Sequence, residues 1–245
     1  MKYSLLFFSL VFVIASFFIG GSACADTRFT YNIIMWNSPI AEASIVERDN
    51  KRYRGKRVTK LFGTLKTREK WKNVKDLNNG MVTIIDHGGF ALQTSANINN
   101  GGKSKEYSFS YHPYQAVGYK RQGNKKQNIL RRTRHKHFHD GLSWLQHVRQ
   151  SDLHPDKTFG FEVFNLGRFY KVRAVVQAVE NVKTPLGDKK SYRIKFTMSR
   201  NIKGKRKTTN SVLWISADDR RIPVQMLTPT KLGLAKVLIN KVEKY

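Results

Sequence analysis

Along most of the chain, apolar and polar residues alternate with a period of two, the pattern of strands that bury one face. The segment RFTYNIIMW places four apolar residues on one face: Phe29, Tyr31, Ile33 and Met35. The segments YSFSY at 107–111 and SYRIKFTMSR at 191–200 repeat the pattern. Turn signals such as Asn79-Gly80 and Gly88-Gly89 are expected to separate the strands.

From residue 158 onward, the alternation predicts six strands in close succession: 158–166, 168–181, 190–201, 209–216, 221–228 and 232–243. Short connections without covering helices are typical of antiparallel sheets. A sheet of a dozen or so strands curls because its strands twist. We therefore predict a mainly β protein, built as a single highly curved antiparallel sheet that forms an open or partly closed barrel.

One segment, 141–150, has helical rather than strand periodicity. Its apolar residues fall at helical spacing: Leu142, Trp144, Leu145 and Val148. Asp140 stands where an N-cap acceptor belongs, and Arg149 lies in the last turn, where a cation favours the helix dipole. We predict one short helix near 141–150 that packs its apolar side against the concave face of the sheet.

The first 25 residues have the features of a signal peptide. Lys2 precedes an apolar run of 15 residues (5–19), and Ala23 and Ala25 occupy the positions that a signal peptidase recognises. The run is shorter than the roughly 20 residues that a membrane-spanning helix needs. Cleavage after Ala25 would leave a chain without a transmembrane span.

Residues 26–245 are predicted to form a single β-rich domain, because no repeat, Pro-rich linker or acidic tract divides them. Cys24 is the only cysteine, so the cleaved chain would have no disulfide and would depend on its hydrophobic core. We expect a periplasmic or secreted protein. The alternative is a membrane-tethered lipoprotein acylated at Cys24.

The charge balance favours anionic partners. The chain has 45 lysines and arginines against 17 acidic residues, a net charge of +28 that falls to +27 without Lys2. A charge of this size attracts polyanions. Outside the cytoplasm these are lipid head groups, lipopolysaccharide or cell-wall polymers. A nucleic-acid partner is not expected, although a polyanion-binding module acting on extracellular DNA is an alternative function.

A run of alternating histidines, His135, His137 and His139, is the candidate metal site. On an extended segment the first and third would lie about 13 Å apart. Zinc–nitrogen bonds are about 2.1 Å long, so all three can bind one ion only if the chain bends. The flanking arginines and lysine disfavour a cation. We expect no cofactor; the alternative is a zinc ion at this run, in a metal-dependent hydrolase.

No other motif indicates catalysis. The sequence lacks G-x-S-x-G, H-E-x-x-H and a Gly-rich phosphate loop. No paired carboxylates stand out among the basic residues. We therefore expect a protein without evident catalysis.

Two segments resemble a known family when taken together. These are DGLSWLQHVRQSDL at 140–153 and LWISADDRRIPVQMLTPTKLGLAKVLI at 213–239, with the expected strands and Pro-x-Gly turn between them. The chain resembles the exported bacterial family catalogued as domain of unknown function 3108. The resemblance implies a Gram-negative envelope protein with a signal peptide, a β-rich fold, and no settled activity or cofactor.

The resemblance picks out residues in the helix region and near the end of the chain: Asp140, Leu142, Ser143, Arg149, Trp214, Ser216, Asp218, Arg220, Arg221, Pro223 and Gly233. The candidate binding residues among them are Arg149, Trp214, Asp218, Arg220 and Arg221. Turn chemistry at 217–219 would by itself account for aspartates there. This chain departs from the family by its excess of basic residues, by the histidine run, and by Ala41 where a glycine is expected.

The leading functional hypothesis is an exported envelope protein that binds a lipid or another hydrophobic or anionic envelope ligand. The basic exterior would dock on anionic surfaces, and the mouth of the curved sheet would hold the apolar part of the ligand. The residues that could line this mouth are Phe159, Phe161, Phe164, Phe169 and Tyr170. A core filled by these same side chains is the alternative.

Overall fold

The structure, a computed structural model that describes residues 26–202 and 204–245, contains one sheet of fourteen antiparallel strands. The predicted signal peptide, with Cys24, lies outside the described residues. The strands are β1 (Thr27–Met35), β2 (Ser38–Tyr53), β3 (Lys56–Thr67), β4 (Leu77–Ile85), β5 (Ala91–Asn100), β6 (Lys103–His112), β7 (Gln115–Gln122), β8 (Lys125–Arg132), β9 (Thr158–Asn165), β10 (Arg168–Thr184), β11 (Gly187–Ile202), β12 (Lys205–Ser216), β13 (Pro223–Thr230) and β14 (Gly233–Lys244). The helices are a 3-10 helix (Glu69–Trp71) and α1 (Ser143–Gln150).

The sheet consists of two meanders, β1–β8 and β9–β14, in which each strand pairs with its sequence neighbour. The meanders are joined because β1 also pairs with β14 in the middle of the sheet. The inward-facing residues predicted for β1 are all buried: Phe29, Tyr31, Ile33 and Met35. The predicted mainly β, antiparallel architecture is confirmed.

Side chains rather than backbone hydrogen bonds bring the two outer strands together. In the strand order, β8 and β9 lie at opposite edges. The ring of Phe109 on β6 nevertheless meets that of Phe164 on β9 edge to face, with centroids 4.8 Å apart. Gly167, in the β9–β10 turn at φ +89°, lies close to β8. A Cβ atom added to this glycine would be 3.3 Å from Ile129 Cδ1. The sheet therefore curls into the partly closed barrel that the sequence predicts.

Residues 133–157, here called the plug segment, connect β8 to β9 and carry α1 into the concave side of the sheet. Trp144, Leu145 and Val148 are buried, and the Trp144 ring meets Phe196 of β11 at 5.3 Å. The plug segment also covers part of the outer edge of β9. The backbone N–H of His139 donates to Glu162 O at 2.9 Å, and Phe164 N–H donates to His139 O at 2.7 Å.

The short helix predicted near 141–150 is confirmed as α1, Ser143–Gln150. One local expectation needs correction. Asn79-Gly80, expected to form a turn, lies inside β4. Asn79 is buried there and its Oδ1 accepts a hydrogen bond from Asn99 N at 2.8 Å, so its side chain supports the pairing with β5 instead of a turn.

Within the described residues, no helix combines the length and apolar character that crossing a membrane requires.

Candidate functional site

The structure brings Arg149 together with the turn between β12 and β13. Its guanidinium is buried, and Nε and Nη2 donate to the carbonyl oxygens of Arg221 and Arg220, each at 3.0 Å. These two bonds fasten the C-terminal end of α1 to the turn. We call Arg149 and these two carbonyls the latch.

Asp218 shapes the turn that the latch holds. Ser216 Oγ donates to Asp218 Oδ1 at 2.6 Å, and Arg220 Nε and Nη2 donate to Oδ2 at 3.1 and 3.0 Å. Ile222 N–H in turn donates to Ser216 Oγ at 2.6 Å. Burial alone would raise the pKa of Asp218, but the hydrogen bonds from Ser216 and Arg220 hold it below its usual value. The carboxylate therefore fixes the turn conformation.

The remaining predicted binding residues also have partners within the chain. Trp214 Nε1–H donates to Glu180 Oε1 at 2.6 Å, which ties β12 to β10 across β11. The Arg221 guanidinium lies 5.0 Å from the ring centre of Tyr192. These contacts give the predicted residues structural roles.

On its inner side, Arg149 belongs to a buried polar network that the sequence did not indicate. Arg149 Nη1 donates to Gln146 Oε1 at 2.7 Å, and Gln146 Nε2 donates to Glu47 Oε1. Burial lowers the pKa of Arg149, and the charge of Glu47 opposes this effect. Burial also raises the pKa of the Tyr31 hydroxyl, which interacts electrostatically with Arg149 and Glu47. The network pairs a buried cation with a buried carboxylate under the plug.

Asp140 fastens the other end of the helix. Its Oδ1 accepts the backbone N–H groups of Leu142 at 3.0 Å and Ser143 at 2.7 Å, and Asp140 N–H donates to Ser143 Oγ at 2.7 Å. Its Oδ2 accepts the hydroxyls of Thr83 and Thr94 on β4 and β5. Asp140 thus accepts hydrogen bonds at the start of the helix, but the N-cap residue is Leu142 rather than Asp140.

The three histidines of the run lie in different surroundings. His135 is exposed, with Nε2 3.7 Å from Glu162 Oε1. His137 stacks on Phe90 at 4.7 Å, while His139 is buried between Phe90 at 5.1 Å and His147 at 4.6 Å. In residues 26–202 and 204–245, no group of three or more His, Cys, Asp or Glu is placed to hold a metal ion. Zinc binding at this run stays a prediction.

The buried His139 leads to a pH-dependent stability. Burial, with a smaller contribution from His147, lowers its pKa from 6.5 to about 3. The unfolded chain therefore takes up the proton more readily, and stability decreases as pH falls below about 6.5. We expect the free energy of unfolding to drop by about 2 kcal/mol between pH 7 and pH 5.

Urea unfolding of the wild type and of His139→Phe, at both pH values, measures this effect. The phenylalanine keeps an aromatic ring between Phe90 and His147 but cannot titrate. Between pH 7 and pH 5, the free energy of unfolding of His139→Phe should fall by about 2 kcal/mol less than that of the wild type. An equal pH dependence in both proteins would assign the effect to other groups.

A basic pocket, here called the seam pocket, opens where the end of β8 and the start of the plug segment meet β9 and β10. It has a volume of about 400 Å³ and is lined by Arg132, Thr133, Arg134, His135, Glu162, Phe169 and Lys171. Thr133 Oγ1 donates to the nearly buried carboxylate of Glu162 at its base. Guanidinium and ammonium groups around such an opening suit phosphate or carboxylate groups.

The aromatic residues expected to line a ligand cavity contribute to the core. Phe164 and Tyr170 are buried, and Phe159, Phe161 and Phe169 pack against the same cluster. A cleft between Trp144 and strands β10–β13 has a volume of about 10 Å³. This is about the space that one water molecule needs, so an acyl chain does not fit there.

A family model described as "Protein of unknown function (DUF3108)" matches residues 30–240. No curated protein matches the chain. Among solved structures, a beta-barrel-like protein of domain of unknown function DUF1849 from Brucella abortus is similar, with a TM-score of 0.58 and 10% identity, over 91% of this chain and 99% of that one. This likeness supports the barrel-like fold.

Two further solved structures are less similar. One, from Bacteroides fragilis, is described as an exported protein with a YmcC-like fold; its TM-score is 0.37 at 10% identity, covering 94% of this chain and 100% of that one. The other, described as a lipoprotein from Parabacteroides distasonis, has a TM-score of 0.41 at 8% identity, covering 91% and 100%.

Proposed function

The chain belongs to the DUF3108 family of unknown function, and we propose that it is a non-catalytic protein of the cell envelope. It attaches to anionic, phosphate-bearing components there, either lipid head groups, lipopolysaccharide or cell-wall polymers. Its place is the periplasm or the extracellular side, after removal or acylation of the N-terminal segment.

The surplus of cations carries this proposal. If each of the 17 acidic residues paired with one lysine or arginine, 28 of the 45 cations would still lack a carboxylate. Lysines and arginines are exposed on the sheet; in the edge strand β8, KKQNILRR, every residue except Ile129 is exposed. Each cation held near an anionic surface contributes on the order of 1 kcal/mol to binding. Such a surface attaches to polyanions without a specific pocket.

The arrangement of the family residues supports a non-catalytic role. Arg149, Asp218 and Asp140 are engaged in fastening the plug segment to the sheet. The aromatic residues of the concave face are used in packing. The outer surface, including the seam pocket, is then the part of the molecule that meets a ligand.

Binding to vesicles tests the proposal. The fourteen strands of the described residues all lie after residue 25, so the protein beginning at Asp26 contains each of them. We expect it to sediment with vesicles of phosphatidylglycerol and phosphatidylcholine but not with phosphatidylcholine alone. Binding should weaken at least tenfold between 50 and 500 mM salt, because the attraction is electrostatic.

Three comparisons identify the source of the anionic groups. Lipopolysaccharide, an anionic cell-wall polymer and duplex DNA are titrated at the same salt concentration. The same protein with acetylated lysines, which carry no charge, is the control and should not bind. Equal binding to neutral and anionic vesicles would contradict the proposal, and equal affinity for DNA would support a general polyanion-binding module instead.

A further inference from the structure

A cluster of apolar side chains is exposed at one end of the sheet. Trp36, in the β1–β2 turn, is 55% exposed, and Val74, before β4, is 53% exposed. Together with Trp71 and with Leu232 of the β13–β14 turn, which is 39% exposed, they line one cleft. We call Trp36, Trp71, Val74 and Leu232 the Trp36 patch. The centroids of its two indole rings lie 6.1 Å apart.

The backbone at Trp36 makes this exposure unusual. Trp36 and Asn37 form the two-residue turn with φ angles of 48° and 57°, both in the left-handed region. Glycine and asparagine suit such a turn, whereas a bulky aromatic residue is rare there. The turn geometry therefore does not explain a tryptophan at this position, and the contact with Trp71 still leaves 55% of its surface exposed. An external apolar partner would explain it.

Positive charge surrounds the patch. The connection between β3 and β4 and the β13–β14 turn carry five cations: Arg68, Lys70, Lys72, Lys75 and Lys231. The same segments contain two carboxylates, Glu69, which pairs with Lys72 at 2.7 Å, and Asp76. Burial lowers the pKa of Lys75, and the charge of Lys231 adds to this effect, so two ammonium groups repel each other beside the cleft. An anion at this position would relieve that repulsion.

From this combination we propose that the Trp36 patch docks on an anionic lipid bilayer, with Trp36 inserted at the level of the head groups. Tryptophan favours this interface because its ring is apolar and its N–H is polar. The surrounding lysines meet lipid phosphates, as they do on other interfacial basic surfaces. The inference rests on the proposed function and selects among its ligands, since soluble polyanions offer charge but no hydrocarbon.

Trp36→Gly separates lipid insertion from folding. Glycine adopts the left-handed turn without strain, which offsets the loss of the contact between Trp36 and Trp71, so the melting temperature should change little. In the protein beginning at Asp26, this substitution should weaken binding to phosphatidylglycerol-containing vesicles about tenfold. The reason is that the variant can no longer bury part of the indole ring in the bilayer. The wild-type fluorescence should shift to shorter wavelength on vesicle binding, and this shift should be reduced in the variant.

Tyr114→Gly is the matched control. Tyr114 is an aromatic turn residue that is 51% exposed at φ 65°, and its β6–β7 turn lies at the opposite end of the strands. This variant should bind vesicles as the wild type does. Binding of both variants to soluble lipopolysaccharide-derived phosphosaccharide, which lacks acyl chains, should be unchanged.

The outcomes distinguish the two proposals. If the wild type fails to bind anionic vesicles, the proposed function fails. If it binds and Trp36→Gly binds equally well, the inference fails while the proposed function stands. The inference also fails if Trp36→Gly weakens binding to the phosphosaccharide as much as it weakens binding to anionic vesicles. A wild-type dimer that becomes monomeric in Trp36→Gly would assign the patch to a second copy of the chain and overturn it as well.

Discussion

Replacement of Arg149 by alanine should lower the free energy of unfolding by about 3–5 kcal/mol, the range for removing one partner of a buried ion pair. The substitution leaves Glu47 buried beside the gap without the nearby guanidinium charge. It also removes the donors to the carbonyls of Arg220 and Arg221, so the latch is lost. Urea unfolding at pH 7, followed by circular dichroism, measures the change.

Two variants test this explanation. Glu47→Gln removes the buried negative charge, so Arg149→Ala should cost at least about 1 kcal/mol less in that background than alone. Arg173→Ala, at an exposed position of β10, should change stability by less than about 0.5 kcal/mol. A loss below about 1 kcal/mol for Arg149→Ala would contradict a latch that holds the plug.

Asp140→Ala should destabilise the protein by about 3 kcal/mol. Loss of a helix cap accounts for roughly 1 kcal/mol. Loss of the charged acceptor shared by Thr83 and Thr94 accounts for on the order of 2 kcal/mol, because both hydroxyls are buried. The measurement is again urea unfolding, combined with quenching of Trp144 fluorescence by acrylamide, which should increase if the start of the helix loosens.

Asp140→Asn is the matched variant for this prediction. Asparagine keeps an oxygen for the backbone N–H groups of Leu142 and Ser143. It should therefore cost less than alanine, by about 1 kcal/mol. If both variants have the same stability as the wild type, the carboxylate does not connect the helix to β4 and β5.

The strands could be predicted well because most of them bury one face. Alternation in the C-terminal half located all six strands, and the predicted 168–181 and 190–201 correspond to β10 and β11. The two observed strands are each a few residues longer, because they continue as a hairpin of mostly exposed residues in which apolar alternation is weak. Helical spacing at 141–150 located α1, since its apolar stripe is buried in the sheet.

The polar network under the plug could not be predicted, because its members are distant in sequence. Glu47 lies on β2, whereas Gln146 lies on α1. Their meeting depends on the curvature of the sheet, which local periodicity does not specify. Alternation continues the buried face of β2 from Ala43 and Ile45 to Glu47, but the charge of a glutamate would by itself favour the solvent. The cation that stabilises this carboxylate inside comes from the helix.

The Trp36 patch was missed for a different reason. The predicted strand RFTYNIIMW includes Trp36 as its last residue, whereas β1 ends at Met35. The sequence does contain a signal, because Trp36-Asn37 separates two strands at the length of a tight hairpin turn. Asn37 suits the left-handed conformation, but tryptophan is so rare in it that the turn was not predicted.

The pairing of β1 with β14 has a consequence for how the protein acquires its structure. Each meander can form through neighbouring hairpins, but the central pairing joins Thr27 to Lys244, almost the full length of the described chain. Contacts so distant in sequence form slowly, because a long loop must close before they stabilise anything. During synthesis the two halves cannot join until β14 has emerged, so β1 waits with one edge unpaired. A nascent chain that lacks β14 therefore exposes the unpaired edge of β1, which is a site for aggregation.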